Sequence, residues 1–395
     1  MNWTKKIYQG RLALLSAVLL ASSAWGMPAS PVQAAAAQAA VPACSTGDHG
    51  LLKELQAEHA ASGAAPLNFS DIQFLNADTG RAAGNGFMIG TSDGGCHFQE
   101  IYKGQWSFRQ IDFPDNVHGW ALASVKGTAA AYLIATADGG STWQRMTDTA
   151  TAFDRIDFKD KKQGFGYSLA STYYTKDGGR TWRLIPTPAN TRGAEFTSAS
   201  SGYAVVVAPG AGYRIMKTSD GGATWSLSLK SAFAYPESGR VYANGDQVYA
   251  LLYGGSGMSQ TSYSLYASSN KGKSWSRVIA QNTAGGGPAP GSGAAQLTTG
   301  PASGKPGNMQ LVGSSAAFLF GFSPAGEKVA VGRTYNGGKK WTNLPAVPGY
   351  DGLISFTGVT EGWMAVRGQN ASSLYATEDG GSTWKLKFAF KGTEQ

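Results

Sequence analysis

Thr136-Ala137-Asp138-Gly139-Gly140-Ser141-Thr142-Trp143 decides the fold, because this eight-residue pattern returns along the chain. Residues 175–182, 218–225 and 377–384 repeat it with the Asp, both glycines, the Thr and the Trp intact. Degenerate copies stand at 91–98, 268–275 and 334–341. Counted from Asp93, Asp138, Asp177, Asp220, Asn270, Asn336 and Asp379, the intervals are 45, 39, 43, 50, 66 and 43 residues. Each copy reads as a strand-turn-strand joint. The Asp or Asn accepts hydrogen bonds from amides of its own turn, and a glycine takes the positive φ that other residues resist. The hydroxyl residue ties the turn back, and the aromatic anchors the next strand. Six of the 11 Trp (Trp143, Trp182, Trp225, Trp275, Trp341 and Trp384) occupy the last position, so most Trp is assigned to packing.

A second pattern precedes the turns. Ile72-Gln73-Phe74 comes before Gly80, Ile111-Asp112-Phe113 before Gly119-Trp120, and Ile156-Asp157-Phe158 before Gly164-Phe165. Ala194-Glu195-Phe196 and Ile354-Ser355-Phe356 continue it ahead of Gly202-Tyr203 and Gly362-Trp363. Apolar residues two apart mark a strand, and the Gly-aromatic pair opens another after a tight connection. With the strands entering and leaving each Asp turn, every repeat holds four strands. Four antiparallel strands at a period of 40 to 50 residues describe a propeller blade, so seven copies predict an all-β, seven-bladed β-propeller over residues 66–390. The Gly/Pro/Ser-rich stretch at about 280–308 accounts for the 66-residue interval and reads as a flexible surface insertion.

Ahead of the repeats, Lys5, Lys6 and Arg11 precede a short apolar run from Leu12 to Ala24, and Val32-Gln33-Ala34 fits a small-x-small cleavage site. Residues 1–34 therefore read as a signal peptide removed on export to the cell envelope or beyond. Residues 35–65 read as an extension with one short amphipathic helix around Leu51, Leu52 and Leu55. Losing the three cations of 1–34 lowers the formal charge from +8 to +5, a mild surplus without the Lys/Arg run of a nucleic-acid groove. The mature chain carries no membrane span and reads as a monomer. The two cysteines, Cys44 and Cys96, form an economical disulfide in an oxidising compartment, worth about 4 kcal/mol on loop closure. A metal site from Cys44, His49, Cys96 and His97 lacks the close ligand pair zinc requires, and a lipid anchor at Cys44 has the wrong sequence context. No metal or cofactor is expected.

The turn resembles the BNR or Asp-box repeat of bacterial sialidases, sortilin-type receptors and xyloglucanases. Combined with the Ile-x-Phe and Gly-aromatic segments, it is similar to the photosystem II assembly and stability factor family over residues 66–390. That resemblance implies an exported, non-catalytic propeller that docks onto a membrane-protein partner, with a basic face carrying contact. Here the first box departs, with His97 and Phe98 in place of Thr and Trp, and the fifth and sixth carry Asn.

Chemistry has little support in the pattern. A sialidase needs an arginine triad, and the nearest match to its Arg motif, Tyr213-Arg214-Ile215-Met216, lacks the proline and fits an ordinary strand. Gly-x-Ser-x-Gly, HExxH and phosphate-loop motifs are absent from the sequence, and only four His are present. A sialidase-like or other carbohydrate-active glycosidase remains the alternative to a scaffold that binds a protein or cell-envelope partner. One constellation is a candidate binding site: Gln73, Asp112, Asp157 and Glu195 at equivalent strand positions, with Arg109, Arg155, Arg192 and Arg240 nearby. Such residues either pair as salt bridges between blades or form a basic channel rim that grips an acidic group through forked arginine contacts.

Overall fold

The computed structural model describes residues 51–61, 67–292, 295, 299–368 and 372–390. Helix α1 (Leu51–Ala61) precedes a body of antiparallel strands. The signal segment expected at 1–34, together with Cys44 and His49, lies outside the described residues.

Strands form six sheets, so the expectation of seven blades is corrected to six, the first of which carries two repeats. The first sheet runs from Phe69–Phe74 to Gln144–Arg145 and contains both Asp93 and Asp138. Its two repeats fuse because Gln99–Asp112 is one strand of 14 residues, pairing with Gly80–Thr91 at its start and with Gly119–Val125 at its end. Elsewhere the outer strand of one repeat is separated from the inner strand of the next by turn formers, such as Pro186, Pro188 and Asn190. Between Phe98 and Ile111 only Gly104 interrupts the extended run, and nothing forces the chain out of the ladder. The other sheets begin at Arg155–Phe158, Thr191–Phe196, Gly239–Asn244, Lys305–Val312 and Asp351–Phe356.

Aromatic stacking joins neighbouring repeats and gives the second sequence pattern its cause. The residue after the glycine lies flat on the Phe of the next inner strand, Trp120 on Phe158 at 3.9 Å and Trp363 on Phe74 at 4.0 Å between ring centroids, and Phe318, which follows Ala317 instead, lies on Phe356 at 3.6 Å. The Phe ring in turn covers the glycine of its own repeat. A Cβ at Gly202 would sit 2.7 Å from the Phe196 ring, so close approach demands the glycine there. The Asp-box Trp meets the same Phe edge-on, as Trp182 meets Phe158 at 6.1 Å.

The Trp363–Phe74 stack closes the ring, since it joins the last sheet to the first. Leu51 and Leu55 of α1 are buried in the same cluster as Phe69, Phe98, Phe388 and Phe390, so the helix seals this seam. Described parts of the 280–308 stretch lie against the fourth sheet: Ser264 donates to the Pro290 carbonyl at 2.5 Å and the Gly300 amide donates to Gln281 at 2.8 Å.

Candidate functional site

Seven inner segments, two of them from the first sheet, line a central channel of about 700 Å³. Several of its polar side chains are spokes that tie one inner strand to the next. Gln73 accepts the Phe113 amide at 2.7 Å and donates back to the Phe113 carbonyl at 3.1 Å. Gln110 does the same with Ile156 at 2.9 and 2.8 Å, and Asn308 with Ile354 at 3.0 and 2.8 Å. Asp71, Asp112 and Gln310 accept the amides of Ile111, Phe158 and Phe356 at 2.8, 2.5 and 2.5 Å. Ser355 accepts the Phe74 amide at 2.9 Å and ties the last sheet to the first. Each spoke satisfies a backbone group of an inner strand, which has no ladder partner on its channel side.

The expected constellation separates into three groups. Gln73 and Asp112 are spokes. Arg109 forms an exposed pair with Asp154 at 3.6 Å, and Arg192 donates to the Thr191 carbonyl at 2.9 Å without lining the channel. Arg155, Asp157, Glu195 and Arg240 do converge. Arg155 pairs with Glu195 at 2.9 Å, their side chains 19% and 12% exposed, and stacks over the Tyr167 ring at 3.8 Å. Asp157 pairs with Lys159 at 2.7 Å, and Arg240 lies over Tyr242 at 5.1 Å. Among the described lining residues five carboxylates stand beside four cations.

Burial dominates the electrostatics here. Asp71 is pushed up to about 7 by desolvation, against the lowering effect of the Ile111 and Ile72 amides. Asp112 rises well above the usual carboxylate range through burial and the adjacent Asp157. Burial also raises Glu195, with Arg155 opposing. For Arg155, burial disfavours the charge, but Glu195 together with Tyr167, Asp157 and Tyr242 holds the guanidinium above its ordinary value. Among the described residues no group of three His, Cys, Asp or Glu could hold a metal ion.

The Asp turns define the opposite kind of surface. In the 136–143 turn, Thr142 donates its amide and hydroxyl to Asp138 at 2.9 and 2.6 Å, and the Gly140 amide donates to Thr136 Oγ1 at 3.0 Å. The next turn also docks on the loop after its own inner strand, through Gly178 N–H to the Lys162 carbonyl at 2.8 Å. Turns and loops therefore share one face. On that face the second sheet and its neighbour expose Arg145, Lys161, Lys162, Lys176, Arg180 and Arg183. Among the described residues none of these six has a carboxylate within ion-pair distance. Three adjoining clefts of about 600, 430 and 570 Å³ run beneath them, linked by Lys161 and Gln163. Sequence reasoning passed over this cluster. Its signal, Lys159-Asp160-Lys161-Lys162 near Lys176 and Arg180, is split between two strand ends that only the turn geometry unites.

Other sequence candidates have structural duties. Arg214 sits mid-strand in Gly212–Thr218, opposite Val206 and Lys230, while the Tyr213 hydroxyl accepts the Glu237 amide at 2.9 Å. Cys96 is disulfide-bonded, and the partner expected for it, Cys44, lies outside the described residues. Among the described residues no helix is long and apolar enough to cross a membrane.

A model of the BNR/Asp-box repeat matches residues 173–184, so the chain carries this repeat. No curated protein shows significant sequence similarity to it. Among solved structures, a prolyl endopeptidase aligns over 88% of this chain and 55% of its own at 11% identity and a TM-score of 0.52, which reports the fold. YCF48 from Cyanidioschyzon merolae aligns over 80% of this chain and 94% of its own, at 14% identity and a TM-score of 0.49. YCF48 bound to a D1 peptide aligns over 80% and 90%, at 15% identity and a TM-score of 0.47.

Proposed function

We propose that this propeller is a binding scaffold that docks an acidic segment of a protein partner on the turn face of its second sheet, and that it works outside the cytoplasm. The observation that carries the reading is the set of six exposed cations, without a carboxylate partner among the described residues, over three connected clefts. Unmatched like charges repel one another, so an opposed acidic surface gains both steering and register from them. Open clefts of this size suit side chains of an extended segment. The disulfide at Cys96 and the basic-apolar start of the sequence support an oxidising, extracytoplasmic setting. A docking role on a partner protein is also what the sequence resemblance implies.

Binding of a labelled 12-residue Glu/Gly peptide, followed by fluorescence anisotropy, tests this. Three contacts of about 0.5 kcal/mol each amount to about tenfold in affinity, so the triple variant Lys161→Glu, Lys162→Glu, Arg180→Glu loses at least that. Reversing Lys126, Lys230 and Lys328, which lie elsewhere, changes net charge equally and leaves affinity within about twofold. Equal losses in both triples, or binding to phosphatidylglycerol vesicles with none to the peptide, would refute the assignment.

A further inference from the structure

We propose that the central channel, between the strands ending in Asp112 and Asn244, binds a small zwitterion: a free amino acid or dipeptide with an unblocked ammonium and carboxylate. The inference is independent of the turn face. It starts from where the ring of spokes breaks. On the first and fifth sheets polar side chains at two levels hydrogen-bond the neighbouring backbone, and on the sixth Ser355 does so at one. At the equivalent positions of the second to fourth sheets stand Arg155 and Asp157, Gly193 and Glu195, and Arg240 and Tyr242. Arg155 keeps a spoke's bond, donating to the Ala194 carbonyl at 2.8 Å, and the pattern stops beyond it, at Gly193, Arg240 and Tyr242. The Phe196 amide, which Asp157 would serve by analogy, is taken by the Tyr167 hydroxyl at 3.0 Å, so Asp157 is left to pair with Lys159 at 2.7 Å in the channel wall.

Gly193 matters at this break. It has φ +133°, and a Cβ there would run into the Gly239 carbonyl, so no side chain fills the level between Arg155 and Arg240. Arg240 has no carboxylate within ion-pair distance among the described residues. The Tyr242 hydroxyl beside it is buried without a hydrogen-bond partner among them. Two residues deeper along the strands, Asp112 and Asp157 face each other closely enough for one to raise the other. Arg155 is taken by Glu195 and Asp157 by Lys159, so among the described residues the channel offers one cation without a carboxylate partner, Arg240, at one level and Asp112 at the next.

A two-residue step along a strand is about 6.6 Å. An α-amino acid places its nitrogen and carboxyl carbon about 2.5 Å apart. One charge-assisted hydrogen bond of about 2.8 Å at each end extends that reach to about 8 Å, enough to bridge the levels. A plain anion would meet Asp157 and Asp71, and a plain cation would meet Arg155 and Arg240. Only a ligand carrying both charges satisfies both levels, and a channel of about 700 Å³ accommodates it with a short side chain. Asp112 faces Asp71, Asp157, Lys159 and the Phe158 amide. An arriving ammonium stabilises its ionised form, so binding expels a proton.

Isothermal titration calorimetry of the full chain against L-alanine and L-alanyl-L-alanine, in two buffers of different ionisation enthalpy, tests the proposal. The expected result is binding of at least one of them with buffer-dependent heat. N-acetylated and C-amidated forms, and the variants Arg240→Met and Asp112→Asn, each weaken it at least about tenfold, a margin set by losing one charge-assisted contact. Arg240 is not a spoke, so its variant keeps the test meaningful if Asp112→Asn misfolds. The stronger of the two probes identifies the ligand source. Absence of heat with both at millimolar concentration, or equal binding of the capped forms, would overturn the proposal. Neither result touches the turn-face assignment.

Discussion

Two kinds of aspartate coexist in this chain, and their opposite surroundings make stability depend on pH in opposite senses. In the turns, Thr hydroxyls and amides hold Asp177, Asp220 and Asp379 down at about 2. The unfolded value is 3.8, so the stabilisation is complete above that and disappears as pH falls through about 2. Asp71 is the reverse: its folded value of about 7 means that the native state binds the proton more tightly, so stability falls as pH rises from about 4 to 7. The melting temperature of the chain therefore peaks near pH 4 to 5. Asp71→Asn flattens the neutral limb, and Asp177→Asn with Asp379→Asn flattens the acid limb. Thermal melts from pH 2 to 8 check this, and a wild-type profile rising steadily from pH 4 to 7 would contradict it. The turn aspartates were legible in the sequence because their partners are four residues away. Asp71 was not, since it is buried by strands that the sequence does not place.

Strand-level packing explains why Gly-aromatic and Ile-x-Phe occur together. The aromatic must lie on the next repeat's Phe while the glycine leaves room beneath its own, so neither half works alone. Trp120 carries an extra duty, donating its indole N–H to the Gly178 carbonyl at 2.9 Å. Trp120→Ala therefore costs about 3–5 kcal/mol in urea unfolding, as deletion of a large buried aromatic does. A cost below about 1 kcal/mol would show that the stack is incidental. The same sequence pattern supplied the strands and their order but miscounted the sheets. Repeats are written in side chains, whereas sheet boundaries are written in breaks of the backbone ladder, and no breaker separates Gln99 from Asp112.

Across the whole molecule, structural duties and the proposed binding duties fall on different residues of one repeating frame, with Asp112 the exception that carries both. Spokes such as Gln110 and Gln73 hold inner strands together around the channel, which accounts for part of the charged and polar constellation seen in the sequence. Residues that leave the spoke pattern, or that stand on the turn face, are available for ligands. The sequence identified Arg155, Asp157, Glu195 and Arg240 because they share strand positions with the spokes. It overlooked Lys161, Lys162 and Arg180 because proximity there depends on a loop docking on a turn 15 or so residues later.

The most direct test measures two quantities, melting temperature and acidic-peptide affinity, on two variants. Gln110→Ala orphans the Ile156 amide and carbonyl at about 1–3 kcal/mol, lowering the melting temperature by several degrees while affinity stays within about twofold. The Lys161, Lys162 and Arg180 reversal lowers affinity at least about tenfold with the melting temperature held within about 2 °C. An exchanged pattern, with Gln110→Ala losing affinity at full stability or the reversal unfolding the protein at full affinity, would contradict the division of duties.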